Sequence, residues 1–173
     1  MKLIPAPAYS IRLATPPSDD IAPLSEIMIG GMPTGKIIGG AVLEAVLKWD
    51  DFTLMFLTND IPFEDTLHIY LLDDALNIVD SARLGAMYAT GIFGDLDLAQ
   101  SDTVRFRFFG GIVWTLLLLP KETFVLPFLS DPRGVGRPFR FSRRFQLYGK
   151  PLPDTPQKTA RSPQRRPAAT DKL

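Results

Sequence analysis

Hydrophobic and polar residues alternate with a period of two along most of this chain, most clearly from Val104 to Pro120, VRFRFFGGIVWTLLLLP. That period sends successive side chains to opposite faces of a strand. Gly110-Gly111 divides the stretch, and a glycine pair takes the positive φ angles of a two-residue hairpin turn without a Cβ clash. The pattern predicts a β-hairpin in which Phe109 faces Ile112, Phe108 faces Val113, Arg107 faces Trp114, Phe106 faces Thr115, Arg105 faces Leu116 and Val104 faces Leu117. One face then carries Val104, Phe106, Phe108, Val113, Leu117 and Leu119 around Thr115 and belongs in a core. The other mixes Arg105 and Arg107 with Phe109, Trp114, Leu116 and Leu118, and its role turns on whether a second sheet covers it.

The run Ala41 to Thr58, AVLEAVLKWDDFTLMFLT, admits two readings, because Ile38, Val42, Val46 and Trp49 also have helical spacing. Pairing favours a hairpin turning at Asp50-Asp51, with Trp49 facing Phe52, Leu47 facing Leu54, Ala45 facing Phe56 and Leu43 facing Thr58. A helix over 37–48 is the alternative. Asp-Asp is a weaker turn pair than Asn-Gly, which allows a longer loop. Farther on, LHIYLLDDALNIVDSARL predicts two strands around a turn containing Asp73, Asp74 and Asn77. Leu67, Ile69 and Leu71 share one face, and Ile78, Ala82 and Leu84 share another with Asp80 among them. Glycines punctuate the next stretch, where Met87, Tyr88, Ile92, Phe93, Leu96 and Leu98 supply further core. After Pro120 an irregular apolar stretch and the loop Asp131 to Gly136 lead to a last strand, Phe139 to Tyr148. There Phe139, Phe141, Phe145 and Leu147 share a face interrupted by Arg143, and Arg140, Ser142, Arg144, Gln146 and Tyr148 occupy the other.

These elements predict an all-β chain, an antiparallel β-sandwich or open barrel of about eight strands built from sequential hairpins with little helix. Residues 1–36 read as a proline-rich N-terminal arm with one short edge strand at Tyr9, Ile11 and Leu13, and with Leu24 to Ile29 as a short apolar segment that docks on the body. Residues 37–149 form the sandwich. Residues 150–173 read as a disordered basic tail, since five prolines and few large apolar groups leave little to offset the entropy of ordering.

At 173 residues and 46% hydrophobic, the chain suits one core. Net charge is zero, yet Arg133, Arg137, Arg140, Arg143 and Arg144 stand against Asp131 alone between 131 and 149, so the C-terminal part is basic and the rest acidic. With no cysteine, disulfides, thiolate nucleophiles and cysteine-type zinc sites are excluded, and a reducing cytoplasm is the simplest setting. No signal-peptide run is visible. The longest apolar stretch, Ile112 to Leu119, is far shorter than the ~20 residues of a membrane-spanning helix, so no membrane association is expected.

Little in this pattern carries chemistry. Gly30-Gly31-Met32-Pro33-Thr34-Gly35-Lys36 has the glycine and lysine spacing of a phosphate-binding loop, but Ile37 stands where the magnesium-binding hydroxyl is needed and the antiparallel context is wrong. A glycine-rich surface loop is the better reading. His68 is the sole histidine, so a metal centre of several histidines is excluded and a catalytic triad would rest on this one residue; a packed histidine is favoured. The acidic pairs Asp19-Asp20, Asp50-Asp51, Glu64-Asp65 and Asp73-Asp74 read as solvated turns, and only Glu44 lies where a catalytic cleft is worth seeking. No cofactor, metal or catalytic residue is assigned. Arg105, Arg107, Trp114, Arg140, Arg144 and Tyr148 are the candidate binding residues, because interleaved cations and rings suit a protein surface or stack on single-stranded nucleic acid. An intramolecular cation-π pair between Arg107 and Trp114 is the plainer alternative. The expected function is a non-enzymatic binding or protein-interaction module, with a protein partner or self-association. The alternatives are a small-molecule or carbohydrate-binding sandwich, with or without hydrolysis, and third a weak single-stranded nucleic-acid binder.

Overall fold

A computed structural model describes residues 2–3, 8–18, 21–62, 65–86, 91–126 and 131–150. The expectations for Asp19-Asp20, Glu64, Met87, Tyr88 and the tail from 151 onward lie outside the described residues. The N-terminal part forms β1 (Lys2–Leu3), β2 (Tyr9–Thr15), β3 (Leu24–Ile29) and β4 (Met32–Gly39). Four strands follow, β5 (Val42–Trp49), β6 (Phe52–Thr58), β7 (Leu67–Leu72) and β8 (Ile78–Leu84). The last are β9 (Gly94–Asp97), β10 (Thr103–Arg107), β11 (Val113–Phe124), β12 (Val135–Gly136) and β13 (Ser142–Tyr148). The chain is all-β, and no helix occurs among the described residues. The hairpin-built sandwich read from the sequence is present with more strands than the eight expected.

The strands make three antiparallel sheets, ordered β1-β5-β6-β7-β8-β12, β13-β11-β10-β9 and β2-β3-β4. The six-stranded sheet has apolar groups on both faces. One face, with Leu47, Leu54, Phe56, Ile69, Leu71 and Ala82, packs against Val104, Phe106, Trp114, Leu116, Phe145 and Leu147 of the four-stranded sheet. The other, with Val46, Met55, Leu57 and Leu72, packs against Ile27 and Ile38 of the three-stranded sheet. Each Leu, Ile, Val, Met or Phe among these stabilises the fold by roughly 1.5–3 kcal/mol when fully buried. Strand β6 is accordingly apolar without alternation.

In that second interface the apolar segment Leu24–Ile29 docks on the body as expected, but as the middle strand of a sheet. Residues 9–39 supply three strands in place of one, and β4 runs across the expected boundary at 36. The prolines remain compatible with the sheet because Pro16, Pro17 and Pro23 lie between β2 and β3, while Pro33 is on the edge strand β4, where a missing N–H costs no ladder bond. Gly30 and Gly31, at φ 57° and 78°, form the two-residue turn between Ile29 and Met32. The stretch that resembled a phosphate-binding loop is thus a hairpin, and the Lys36 ammonium donates to Asn77 Oδ1 at 2.9 Å.

Residues 42–49 are strand, not the alternative helix. The pairs Trp49–Phe52, Leu47–Leu54 and Ala45–Phe56 form as expected around a two-residue turn. Beyond them a bulge at Glu44 sets Leu43 opposite Leu57 and Val42 opposite Thr58, so the expected Leu43–Thr58 pair does not form.

The β10–β11 hairpin differs from its expected register by one residue. Val104 pairs with Leu116, Arg105 with Thr115, Phe106 with Trp114 and Arg107 with Val113. Residues 108–112 form the loop, with Gly110 and Gly111 both at positive φ. Phe108 and Phe109 both turn into the core, which strict alternation forbids and a loop permits. A one-residue slip exchanges whole faces. Burying Trp114, Leu116 and Leu118 removes more apolar surface from water than burying Val113, Thr115 and Leu117, so the larger set is inside.

Asp80 joins the two large sheets at their edges. Its Oδ2 accepts the Arg144 and Phe145 N–H groups at 2.8 and 3.2 Å, and its Oδ1 accepts from Ser81 N–H at 2.8 Å and Arg137 Nη1 at 3.3 Å. A carboxylate on an apolar strand face is tolerated here because backbone donors and a guanidinium replace its water.

Candidate functional site

The sequence-selected residues fall into three places. Arg105 and Tyr148 lie in one cross-strand row on the outer face of the four-stranded sheet, Asp97–Arg105–Thr115–Tyr148. Arg107 shares that face, with its Nε 2.9 Å from Asp95 Oδ2. Trp114 points the other way. It is fully buried, its Nε1–H donates to the Phe109 carbonyl at 3.1 Å, and its ring centroid is 5.1 Å from that of Phe109. The expected Arg107–Trp114 cation-π pair is therefore absent, and Trp114 offers no stacking surface to a ligand; the register slip is the cause. Arg140 and Arg144 are braced against the body. Arg140 Nη1 donates to the Val79 carbonyl at 3.0 Å, and the Arg144 guanidinium lies 4.6 Å from the Phe52 ring centroid with Nη1 donating to the Pro120 carbonyl at 3.3 Å.

A more pronounced surface feature lies where β11 and β13 continue past the sandwich. From Pro120 to Phe124 the residues of β11 are exposed, paired through Thr123–Arg143 and Phe124–Ser142 and extended by the Val125 N–H bond to the Phe141 carbonyl at 2.9 Å. Phe124, Phe139 and Phe141 are 72%, 64% and 52% exposed. Phe124 stacks on Phe141 at 6.2 Å between centroids, and Phe139 meets Phe141 edge-on at 5.2 Å. The expectation that Phe139 and Phe141 join the core face is overturned: β13 begins at Ser142, and those two rings precede it, beyond the reach of the opposing sheet. Sequence reasoning missed Phe124 entirely. Its signal was the loss of alternation after Pro120, where apolar residues continue without a buried face to receive them.

Beneath this ribbon a cavity of about 190 Å³ is lined by Asp131, Arg137, Arg143, Phe145, Gln146 and Tyr148, among others. The Arg137 side chain is 4% exposed; Nε donates to Asp131 Oδ1 at 2.8 Å, Nη2 to the Phe145 carbonyl at 3.2 Å, and the guanidinium lies 4.3 Å from the Phe145 ring centroid. Burial lowers its pKa, while Asp80 and Asp131 oppose that shift and Arg143 adds to it. Arg143, the polar interruption of the β13 apolar face, is also buried.

A second, more open cleft of about 330 Å³ lies beside β7, β8 and β12, lined by Asp65, Thr66, Arg83, Gly85 and Gly134. Gly134 has φ 82°, and a Cβ there would come within 2.4 Å of Phe109 Cζ. Burial raises the Asp65 pKa, with its Oδ1 accepting the Asn59 and Thr66 N–H groups at 2.9 and 2.8 Å. His68 is buried nearby, its Nε2 2.9 Å from Asn59 Oδ1 and its Nδ1 3.3 Å from the Tyr70 hydroxyl. Burial, with the Arg83 charge second, lowers its pKa to about 4, so the ring is neutral at pH 7. Both ring nitrogens are engaged within the fold, which makes His68 a packed residue. Glu44 accepts the Thr58 hydroxyl at 2.7 Å. Among the described residues no cluster of three or more His, Asp or Glu has metal-binding geometry, and no helix is long and apolar enough to cross a membrane.

Comparison of the chain with protein-family models, curated proteins and solved structures finds no match.

Proposed function

We propose that this chain is a non-enzymatic binding module that recognises an acidic protein partner through the ribbon of β11 and β13. The observation that carries this reading is the exposed stack of Phe124, Phe141 and Phe139. Rings held against one another on a paired backbone present rigid apolar area at low entropic cost, the property of residues that dominate binding energy at protein interfaces. Lys121 and Arg140 flank the rings and Glu122 accepts from Ser142, so the rim is mainly positive and complements an acidic surface. The occupied ring nitrogens of His68 support a binding role over a catalytic one. The absence of cysteine suits a cytoplasmic setting.

The test replaces Phe124 with the photo-crosslinking residue p-benzoylphenylalanine in the native cell, with the same residue at position 115 on the sheet face as control. One discrete acidic protein adduct from position 124, absent at 115 and lost when Phe141→Ser is added, is the expected result. No adduct, or the same adducts from both positions, removes the proposal, and an adduct only with a second copy of the chain replaces the partner with self-association.

A second reading, a small polar molecule in the cleft beside β8, is favoured by Arg83, which lines it and whose side chain makes no hydrogen bond or ion pair with the described residues. Saturable binding of a sugar or amino acid that Arg83→Ala removes is its expected outcome.

A further inference from the structure

We propose that the cavity beneath the ribbon is a binding site for a small monocarboxylate, held by the Nε–Nη2 edge of the Arg143 guanidinium. This site is independent of the protein-binding surface, since its ligand enters the cavity and not the exposed rings.

Arg143 is 5% exposed and lines the cavity. Among the described residues its side chain bonds only through Nη1, which donates to the carbonyls of Arg140 at 3.3 Å and Ser142 at 3.0 Å. Carbonyl dipoles do not neutralise a cation, and Arg143 has no ion-pair partner among the described residues. Asp80 and Asp131 are held by Arg137. Arg137 is close enough that the charge of Arg143 lowers its proton affinity, so two guanidiniums share this end of the sandwich. A buried cation without a counter-charge is costly unless an anion or water completes it.

The geometry of the unused edge specifies the anion. Among buried side-chain nitrogens and oxygens of the described residues, only Arg144 Nε lacks both a partner and solvent. Arg143 Nε and Nη2 have no hydrogen-bond partner among the described residues, and the cavity is the space that Arg143 lines. Two parallel N–H groups on one edge match the two oxygens of a carboxylate. Phe145, Leu147 and Val125 give the cavity apolar walls, and about 190 Å³ admits a short hydrocarbon or a single ring behind the carboxylate. Asp131 lines the same space and repels a second negative charge, which disfavours phosphate dianion.

Titration calorimetry of the full chain with sodium butyrate and benzoate, against chloride and inorganic phosphate at matched ionic strength, tests this. The expected result is saturable one-to-one binding of a monocarboxylate at least about tenfold tighter than phosphate, lost in Arg143→Gln and weakened at least about tenfold in Arg143→Lys, which keeps the charge without the fork. Should these variants fail to fold, the wild-type chain still decides through its arginine side-chain ¹⁵N spectrum: butyrate shifts the Arg143 Nε–H resonance and leaves Arg105 unmoved. Absence of saturation, equal response to phosphate, unchanged binding in Arg143→Gln, or a uniform shift of all arginines overturns the assignment.

Discussion

The hairpins β5–β6 and β10–β11 have the same connectivity and opposite surroundings. The first turns over two residues, with Asp50 at φ 49°, and has a sheet packed on each side. The second turns over a five-residue loop and packs on one side only, so Trp114, Leu116 and Leu118 are inside while Val113 is 46% exposed. A one-sided hairpin chooses its register by which face is larger. A two-sided hairpin has apolar groups to bury either way, and its tight turn and the bulge at Glu44 set the pairing.

Trp114→Ala breaks the one-sided hairpin where all its packing lies. The expected loss is about 3–5 kcal/mol in urea unfolding, because a fully buried indole leaves a cavity and its Phe109 hydrogen bond. A loss under about 1 kcal/mol would contradict the observed register. In the two-sided hairpin Leu54 and Met55 face opposite cores, and each truncated to alanine is expected to cost about 2–5 kcal/mol. If Met55→Ala were neutral while Leu54→Ala was severe, the three-stranded sheet would not be contributing a second core.

His68 sharpens the same point, since it pairs with Leu57 of β6 at the polar margin of that second face. The unfolded chain takes up the imidazole proton near 6.5, whereas the folded chain resists until about 4, so the unfolded state binds more protons in between. Stability is fully present above pH 6.5 and falls as pH drops through that window, by on the order of 3 kcal/mol. Asp65, whose pKa is raised, acts in the opposite sense at the acid end. Urea midpoints measured from pH 7.5 to 4 are expected to decline in the wild type and to flatten in His68→Gln; parallel curves would remove His68 as the cause. The smallest effect is expected on the open face of β11, where Val113→Thr should change stability by no more than about 0.5 kcal/mol.

Much of the fold was legible because alternation is a local property. The strands of β5–β8, the core faces of Leu67, Ile69 and Leu71, and the turns at Asp50-Asp51 and Asp73-Asp74 follow from residues near one another in the chain. The candidate site was less legible. Arg105, Arg107 and Tyr148 do share the outer sheet face, but Phe139 and Phe141 were read as core, because a run of phenylalanines says nothing about where the opposing sheet ends. Prolines likewise signalled an arm at 1–36, although a three-stranded sheet with Pro16, Pro17 and Pro23 between strands and Pro33 on its edge satisfies the same constraint.

The sequence by itself determined an antiparallel all-β chain, since period-two patterning and turn residues act within a few positions. Tertiary structure alone decided which face of β11 is buried, that a second layer covers β6, and that Arg143 and Arg137 share a cavity. Those outcomes depend on comparing the areas that competing faces bury and on partners such as Asp80 and Phe145, 65 positions apart, which no local pattern encodes.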